Sequence, residues 1–159
     1  MSFTIRPKQD SDTDAINALM LETWHTIEII SRGNLHPVAA LPGFVAEADS
    51  KLVGLIGYEI TREQCEIVIL QSMIENQGIG TQLMQAVIKA AKQHNFTRVW
   101  LITTNDNLHS MHFYQKLGFS FSALYRNAME VSRKMKPQIP LTGRDGIPLR
   151  DEIEFELLI

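Results

Sequence analysis

Apolar positions change their spacing several times along the chain, and each change marks an element. Phe3 and Ile5 alternate with polar neighbours as a short strand that Pro7 ends, after which Asp10-Ser11-Asp12 offers capping oxygens to a helix. Ile16, Leu19, Met20, Trp24, Ile27 and Ile30 then recur at three- and four-residue steps. That stripe predicts helix, as one piece or as two broken near Trp24, with Gly33-Asn34 as its stop. His36-Pro37 to Pro42-Gly43 reads as a loop. Phe44-Val45-Ala46 and Leu52 to Ile60 read as a hairpin joined through Asp49-Ser50, and Cys65 to Leu70 as the next strand.

A glycine-paired turn, Glu75-Asn76-Gln77-Gly78-Ile79-Gly80-Thr81, leads from that strand into a helix running to about His94. On the helix Leu83, Met84, Val87, Ile88 and Ala91 form one face, and Gln82, Gln85, Lys89, Lys92 and Gln93 the other. Arg98 to Thr103 is an apolar strand. Asn105 to Asn107 cap a short helix ending at Lys116-Leu117-Gly118, and Phe119 to Tyr125 alternates as a strand. A basic helical stretch from about Asn127 to Lys136 precedes a Pro/Gly segment, and the chain closes on a strand with Ile153, Phe155, Leu157 and Ile159 on one face. This order predicts an α/β (α+β) fold: one mixed, mostly antiparallel sheet with helices on both faces, in a single domain spanning 1–159.

Composition narrows the function classes. At 159 residues the chain is long enough for one core burying roughly 70% of the surface of its unfolded form. A net charge of −3 and an apolar fraction of 45% point neither to disorder nor to a polyanion-binding surface, so no nucleic-acid partner is expected. Cys65 is the only cysteine, which excludes an internal disulfide and gives no zinc-ligand spacing; no metal is expected. The N-terminus lacks the pattern of a signal peptide and no apolar run reaches membrane-spanning length, so a cytoplasmic protein without a membrane partner is expected.

The glycine turn carries the first chemistry. Gly78 and Gly80 have no Cβ, so the backbone can adopt positive φ and approach a ligand closely. The free N–H groups at the start of the helix, with its dipole behind them, favour an anion such as a pyrophosphate. A dinucleotide fingerprint would need a small residue where Leu83 stands and an acid at the end of the next strand, where Thr103 and Thr104 stand. A P-loop would need a lysine in Gly80-Thr81-Gln82. Both are excluded.

A second block follows: Asn107, then Phe113-Tyr114-Gln115-Lys116-Leu117-Gly118-Phe119. Together with Gly78-Ile79-Gly80-Thr81 it resembles the GNAT (N-acetyltransferase) superfamily. The first block is similar to the family's Gln/Arg-x-x-Gly-x-Gly/Ala motif and the second to its Asn-(x)6-Tyr-x-Lys-x-Gly-Phe motif, and the resemblance spans roughly Phe3 to Tyr125. It departs at Glu75, where the family carries Gln or Arg, and in the absence of a proline before the turn. An acid beside a pyrophosphate is repulsive, so the turn is expected to hold its anion through backbone amides alone.

The resemblance implies acetyl transfer from acetyl-CoA to a primary amine, by direct attack in a ternary complex. It assigns the cofactor to Leu70, Ser72, Gln77, Gly78, Ile79, Gly80, Thr81, Asn107 and Tyr114. The pantetheine arm would run along Ile69-Leu70-Gln71-Ser72, with the Leu70 N–H polarising the thioester carbonyl. Tyr114 would protonate the departing thiolate, or else simply pack beside Phe113. Asn107 would contact the pantetheine, cap its helix, or do both. Glu66 is placed like the glutamate that histone-type members use as a base through water; strand parity would otherwise leave it a surface carboxylate.

Other candidates have simpler readings. Trp24, His25, Glu28, Arg32 and His36 lie where the family places its acceptor-binding helix and loop, but Trp24 also fits the core stripe, and His36 before Pro37 also reads as structural. Cys65 lacks a paired histidine and reads as a small buried residue. Arg126, Arg133, Lys134 and Lys136 read as a solvated face, or as contacts for the 3′-phosphate of CoA or for an acidic acceptor. The segment from Pro137 to Arg150 lies outside the motifs and reads as a lid or dimer contact. Two functions therefore stand: an acetyl-CoA-dependent N-acetyltransferase, with a small amine favoured over a protein amine as acceptor, and a non-catalytic acyl-CoA-binding or sensing module.

Overall fold

The computed structural model describes all residues from Met1 to Ile159. The chain runs β1 (Thr4–Pro7), α1 (Thr13–Trp24), β2 (Glu28–Ser31), β3 (Asn34–Pro37), β4 (Gly43–Ala48), β5 (Lys51–Thr61), β6 (Gln64–Ser72), α2 (Ile79–Gln93), β7 (Arg98–Thr104), α3 (Leu108–Lys116), β8 (Ser120–Tyr125), α4 (Ala128–Met135) and β9 (Glu152–Leu158). Seven strands form one sheet in the order β1-β4-β5-β6-β7-β9-β8, and β2 pairs only with β3. Within the main sheet only β6 and β7 are parallel; the other five pairings are antiparallel. No helix is long and apolar enough to cross a membrane.

Two cores flank the sheet, because successive strand residues point to opposite faces. Val45 and Leu55 pack with Ile16 and Met20 of α1, whereas their neighbours Ala46 and Ile56 pack with Leu83 and Met84 of α2. The closing strand behaves as its alternation predicts: Phe155 is fully buried, and Ile153, Leu157 and Ile159 join the same cluster. What the alternation does not reveal is its position, inserted between β7 and β8.

One predicted helix is a hairpin. α1 ends at Trp24, where His25 takes the left-handed conformation (φ 56°) and donates its N–H to Leu21 O. Beyond it Ile27, Ile29 and Ile30 are β-branched and disfavour helix. Gly33 is not a helix stop: Arg32 (φ 49°) and Gly33 (φ 75°) form the two-residue turn between β2 and β3. Trp24 is also displaced from its expected place in the core, lying 41% exposed with its indole N–H donated to Gln71 Oε1 at 3.1 Å. By contrast, Asp49 and Ser50 both adopt positive φ and close the β4–β5 hairpin as expected.

Candidate functional site

β6 determines where a ligand can enter. It stays paired with β5 as far as Ser72, but its pairing with β7 covers only Gln64 to Ile67. From Val68 to Ser72 the edge facing β7 has no strand partner, so two parallel strands diverge at their carboxyl ends, a general location for ligand sites in such sheets. Tyr58 pairs with Ile67 and Gly57 with Ile69, which makes Val68 an extra, bulged residue. The bulge inverts the alternation. Ile67 packs on the α2 side and Ile69, two residues on, packs on the α1 side.

Just past this edge the chain makes the glycine turn. Gly78 has φ 75° and is the N-cap of α2, with no side chain capping the helix. A Cβ there would meet nothing within 4 Å, so glycine is favoured by the left-handed backbone rather than by crowding. The first α-helical bond is donated by Gln82 N to Gly78 O, which leaves the N–H groups of Ile79, Gly80 and Thr81 as the helix's free donors. Glu75, Asn76 and Gln77 are exposed. Exposure lets the Glu75 carboxylate turn away from an anion on those donors.

The two sequence blocks meet here: a Cβ on Gly80 would lie 3.4 Å from Phe113 Cζ, in tight contact with α3. The next residue, Tyr114, packs against Phe113, Phe119 and Phe155 at ring-centroid separations of 5.4, 5.9 and 5.9 Å. Its hydroxyl makes no hydrogen bond within the protein, and burial pushes its pKa up to about 12, so the phenol is neutral at ordinary pH. Asn107 caps α3, accepting the Ser110 N–H on Oδ1 at 3.2 Å. Its amide nitrogen remains a free donor.

Glu66 lies on the α1 side of the sheet. Its Oε1 accepts a hydrogen bond from Ser31 Oγ of the β2–β3 hairpin. Burial raises the Glu66 pKa, the Ser31 bond and His36 oppose the rise, and Glu59 and Glu152 add to it. His36 is buried with Nδ1 3.3 Å from Glu59 Oε2, and ligand atoms of His36, Glu59 and Glu66 lie within 4.8 Å of one another. So His36 is neither a solvated residue nor a mere loop anchor; it touches the same carboxylate cluster.

The remaining candidates separate cleanly. Cys65 is buried on the α2 side and burial lifts its thiol to about 12, so it has no thiolate character. Arg133 donates to the carbonyls of Ile139, Pro140 and Leu149, and Lys136 to Thr26 Oγ1 and Glu28 O. Both side chains brace the fold. The 137–150 segment is anchored too: Arg144 N donates to Asp106 Oδ2, Asn105 Nδ2 donates to Pro148 O, and Gly143 is so close to Asp106 that any side chain would collide with it. Sequence reasoning passed over the acids of β9. Their alternation with Ile153 and Phe155 was the available signal, since strict period two places Glu152, Glu154 and Glu156 together on the opposite face.

The sheet thus splays between its two parallel strands, and a helix N-terminus with free amides lies past the splay. The acetyltransferase (GNAT) family model matches residues 10–119, and the chain belongs to that family. It is 40% identical over 152 residues to the uncharacterized protein YxbD of Bacillus subtilis (strain 168), covering 95% of this chain and 96% of that protein. It is also 40% identical over 156 residues to YdhI of the same organism, covering 98% of each. Among solved structures, a GNAT family acetyltransferase from Elizabethkingia anophelis with acetyl-CoA bound shares the fold, with a TM-score of 0.72, 20% identity and coverage of 99% and 98% of the two chains.

Proposed function

We propose that the protein transfers the acetyl group of acetyl-CoA to a primary amine, by direct attack in a ternary complex. The observation that carries this reading is the close approach of Phe113, the neighbour of Tyr114 on α3, to Gly80 at the free N-terminus of α2. The amides of Ile79, Gly80 and Thr81 bind the pyrophosphate, Gln77 and the Asn107 amide supply further polar contacts, and Leu70 and Ser72 lie along the pantetheine arm. The Leu70 N–H receives the developing oxyanion, an interaction worth about 3 kcal/mol when well aligned.

The acceptor must first be neutral, because an alkylammonium has no lone pair. Glu66, whose raised pKa makes it a better base, takes that proton through water. The amine nitrogen then bonds to the carbonyl carbon, the C–S bond breaks, the leaving thiolate takes the proton of Tyr114, and the second proton of the attacking nitrogen restores the Tyr114 phenol. Burial disfavours the phenolate that this transfer leaves behind, so the Tyr114 proton has to be replaced as it is given up. Membership of the family and the likeness to an acetyl-CoA-bound relative support the cofactor.

The test is a thiol-release assay with purified protein, acetyl-CoA and a panel of primary amines. Amine-dependent thiol release that falls in Tyr114→Phe supports transfer. Binding of acetyl-CoA without thiol release for any amine would instead establish a binding module, and no binding would refute the reading altogether.

A further inference from the structure

The α1 side of the sheet, which carries Glu66, is more acidic than its structural ion pairs require. Glu59 pairs laterally with Glu66, Glu66 with Trp100, and Trp100 with Glu156, so these side chains form one row across four strands. Two residues further along β9 is Glu154, and two further again Glu152, on the same face. Arg98 answers two of these acids, bonding Glu156 at 2.6 Å and also Glu154. That leaves Glu59, Glu66 and Glu152 facing one arginine, Arg32, and one histidine. Like charges placed directly opposite, as at Glu59 and Glu66, are destabilising unless something positive sits on them.

Glu152 is the most informative of the three. Its side chain is 4% exposed, and its buried Oε2 accepts no hydrogen bond. The Arg32 Nη1 stands 3.7 Å away, an ion pair too long for a hydrogen bond. Arg32 lies instead over the ring of Tyr125, its Cζ 3.3 Å from the centroid, and Tyr125 directly pairs with Glu152 across β8 and β9. The Tyr125 hydroxyl donates to Glu154 Oε2 at 2.8 Å, which makes the ring face more electron-rich. The result is a cation cradle, with a ring for its floor and a buried carboxylate for its wall. Arg32 covers the floor but stays out of hydrogen-bond reach of the wall, and it comes from the turn of a hairpin that pairs with no strand of the main sheet.

We infer that the acceptor carries at least two amino groups, one acetylated and another held as its ammonium between Tyr125 and Glu152 in place of Arg32. An ammonium with three donors can give Glu152 Oε2 the hydrogen bond that the flat guanidinium does not. It also supplies the positive charge that the acidic row lacks. A monoamine has only the group that must be deprotonated to react, and leaves the cradle to Arg32. This assignment rests on the acetyl-transfer reading for the fate of the first amine, but not for the binding of the second.

The test compares 1,5-diaminopentane and spermidine with 1-aminopentane, by calorimetric binding to the full chain saturated with CoA and by thiol release with acetyl-CoA. The diamines are expected to bind at least 10-fold more tightly than the monoamine. Glu152→Gln and Tyr125→Leu are each expected to reduce that preference to within about 3-fold, with thermal melts confirming that the variants fold. Arg32→Ala should keep or increase it. Equal binding of monoamine and diamines, or a preference that survives in both cradle variants, would overturn the assignment. The two readings fail separately: Glu152-dependent diamine binding without thiol release removes acetyl transfer and keeps the cradle, whereas thiol release without a diamine preference does the reverse.

Discussion

Tyr114 and Phe155 pack ring to ring, 5.9 Å between centroids, on the face of β9 opposite to Glu154. One strand therefore seats the helix bearing the proposed acid on one side and presents carboxylates on the other. Removing the Tyr114 hydroxyl should leave this packing intact, since the ring makes all of its contacts. Tyr114→Phe is expected to lower kcat about 100-fold while the KM for acetyl-CoA stays within about 3-fold and the melting temperature is unchanged. Steady-state kinetics at saturating amine checks this; a drop in stability with normal kcat would assign the tyrosine to packing alone.

Glu66 should trade stability for activity. Its folded pKa lies above the unfolded value, so its contribution to stability is full below the unfolded pKa and is lost as pH rises through the folded one. At pH 7–8 the ionised carboxylate is a cost. Glu66→Gln is thus expected to raise the melting temperature at pH 8 but not at pH 4, and to remove the acidic limb of the kcat profile. Melts at the two pH values, with the pH–rate curve, test both halves.

Asp12 has the opposite sign. Arg6 grips both of its carboxylate oxygens at 2.8 Å and holds its pKa down at about 2, with Gln9 N adding a further bond. Stability from this pair is present above the unfolded value and lost as pH falls towards the folded one. Asp12→Asn is expected to cost about 2 kcal/mol at pH 7 and little at pH 2, measured by urea unfolding.

Gly78→Ala separates backbone conformation from space. The methyl meets no neighbour, so the whole effect comes from φ 75°. A loss of about 1 kcal/mol in stability is expected, with a weaker Kd for CoA as the turn relaxes. Gly78→Asn, which tolerates the left-handed region, should recover most of both.

Local chemistry made much of this protein readable from its sequence. Gly78 and Gly80 marked the turn because few other residues permit it, and the Asp49-Ser50 hairpin was equally explicit. Ile27 and Ile30 misled, since a spacing of three continues a helical stripe even where β-branching favours a strand. The same stripe places Trp24 in the core, although the helix ends on it. The alternation of β9 gathers Glu152, Glu154 and Glu156 on one face, but where that face lies depends on pairing with β7 and β8, distant in the chain, which no local pattern encodes. Ser31 and Tyr125 entered the account for the same reason.

A crystal structure of the protein with acetyl-CoA tests the central claim most directly. It should place pyrophosphate oxygens at hydrogen-bond distance, about 3 Å, from the amides of Ile79, Gly80 and Thr81, the thioester carbonyl at the Leu70 N–H, and the sulfur beside the Tyr114 hydroxyl. A cofactor bound elsewhere, or lying in the β6–β7 gap with its sulfur remote from Tyr114 and its carbonyl remote from Leu70, would contradict it.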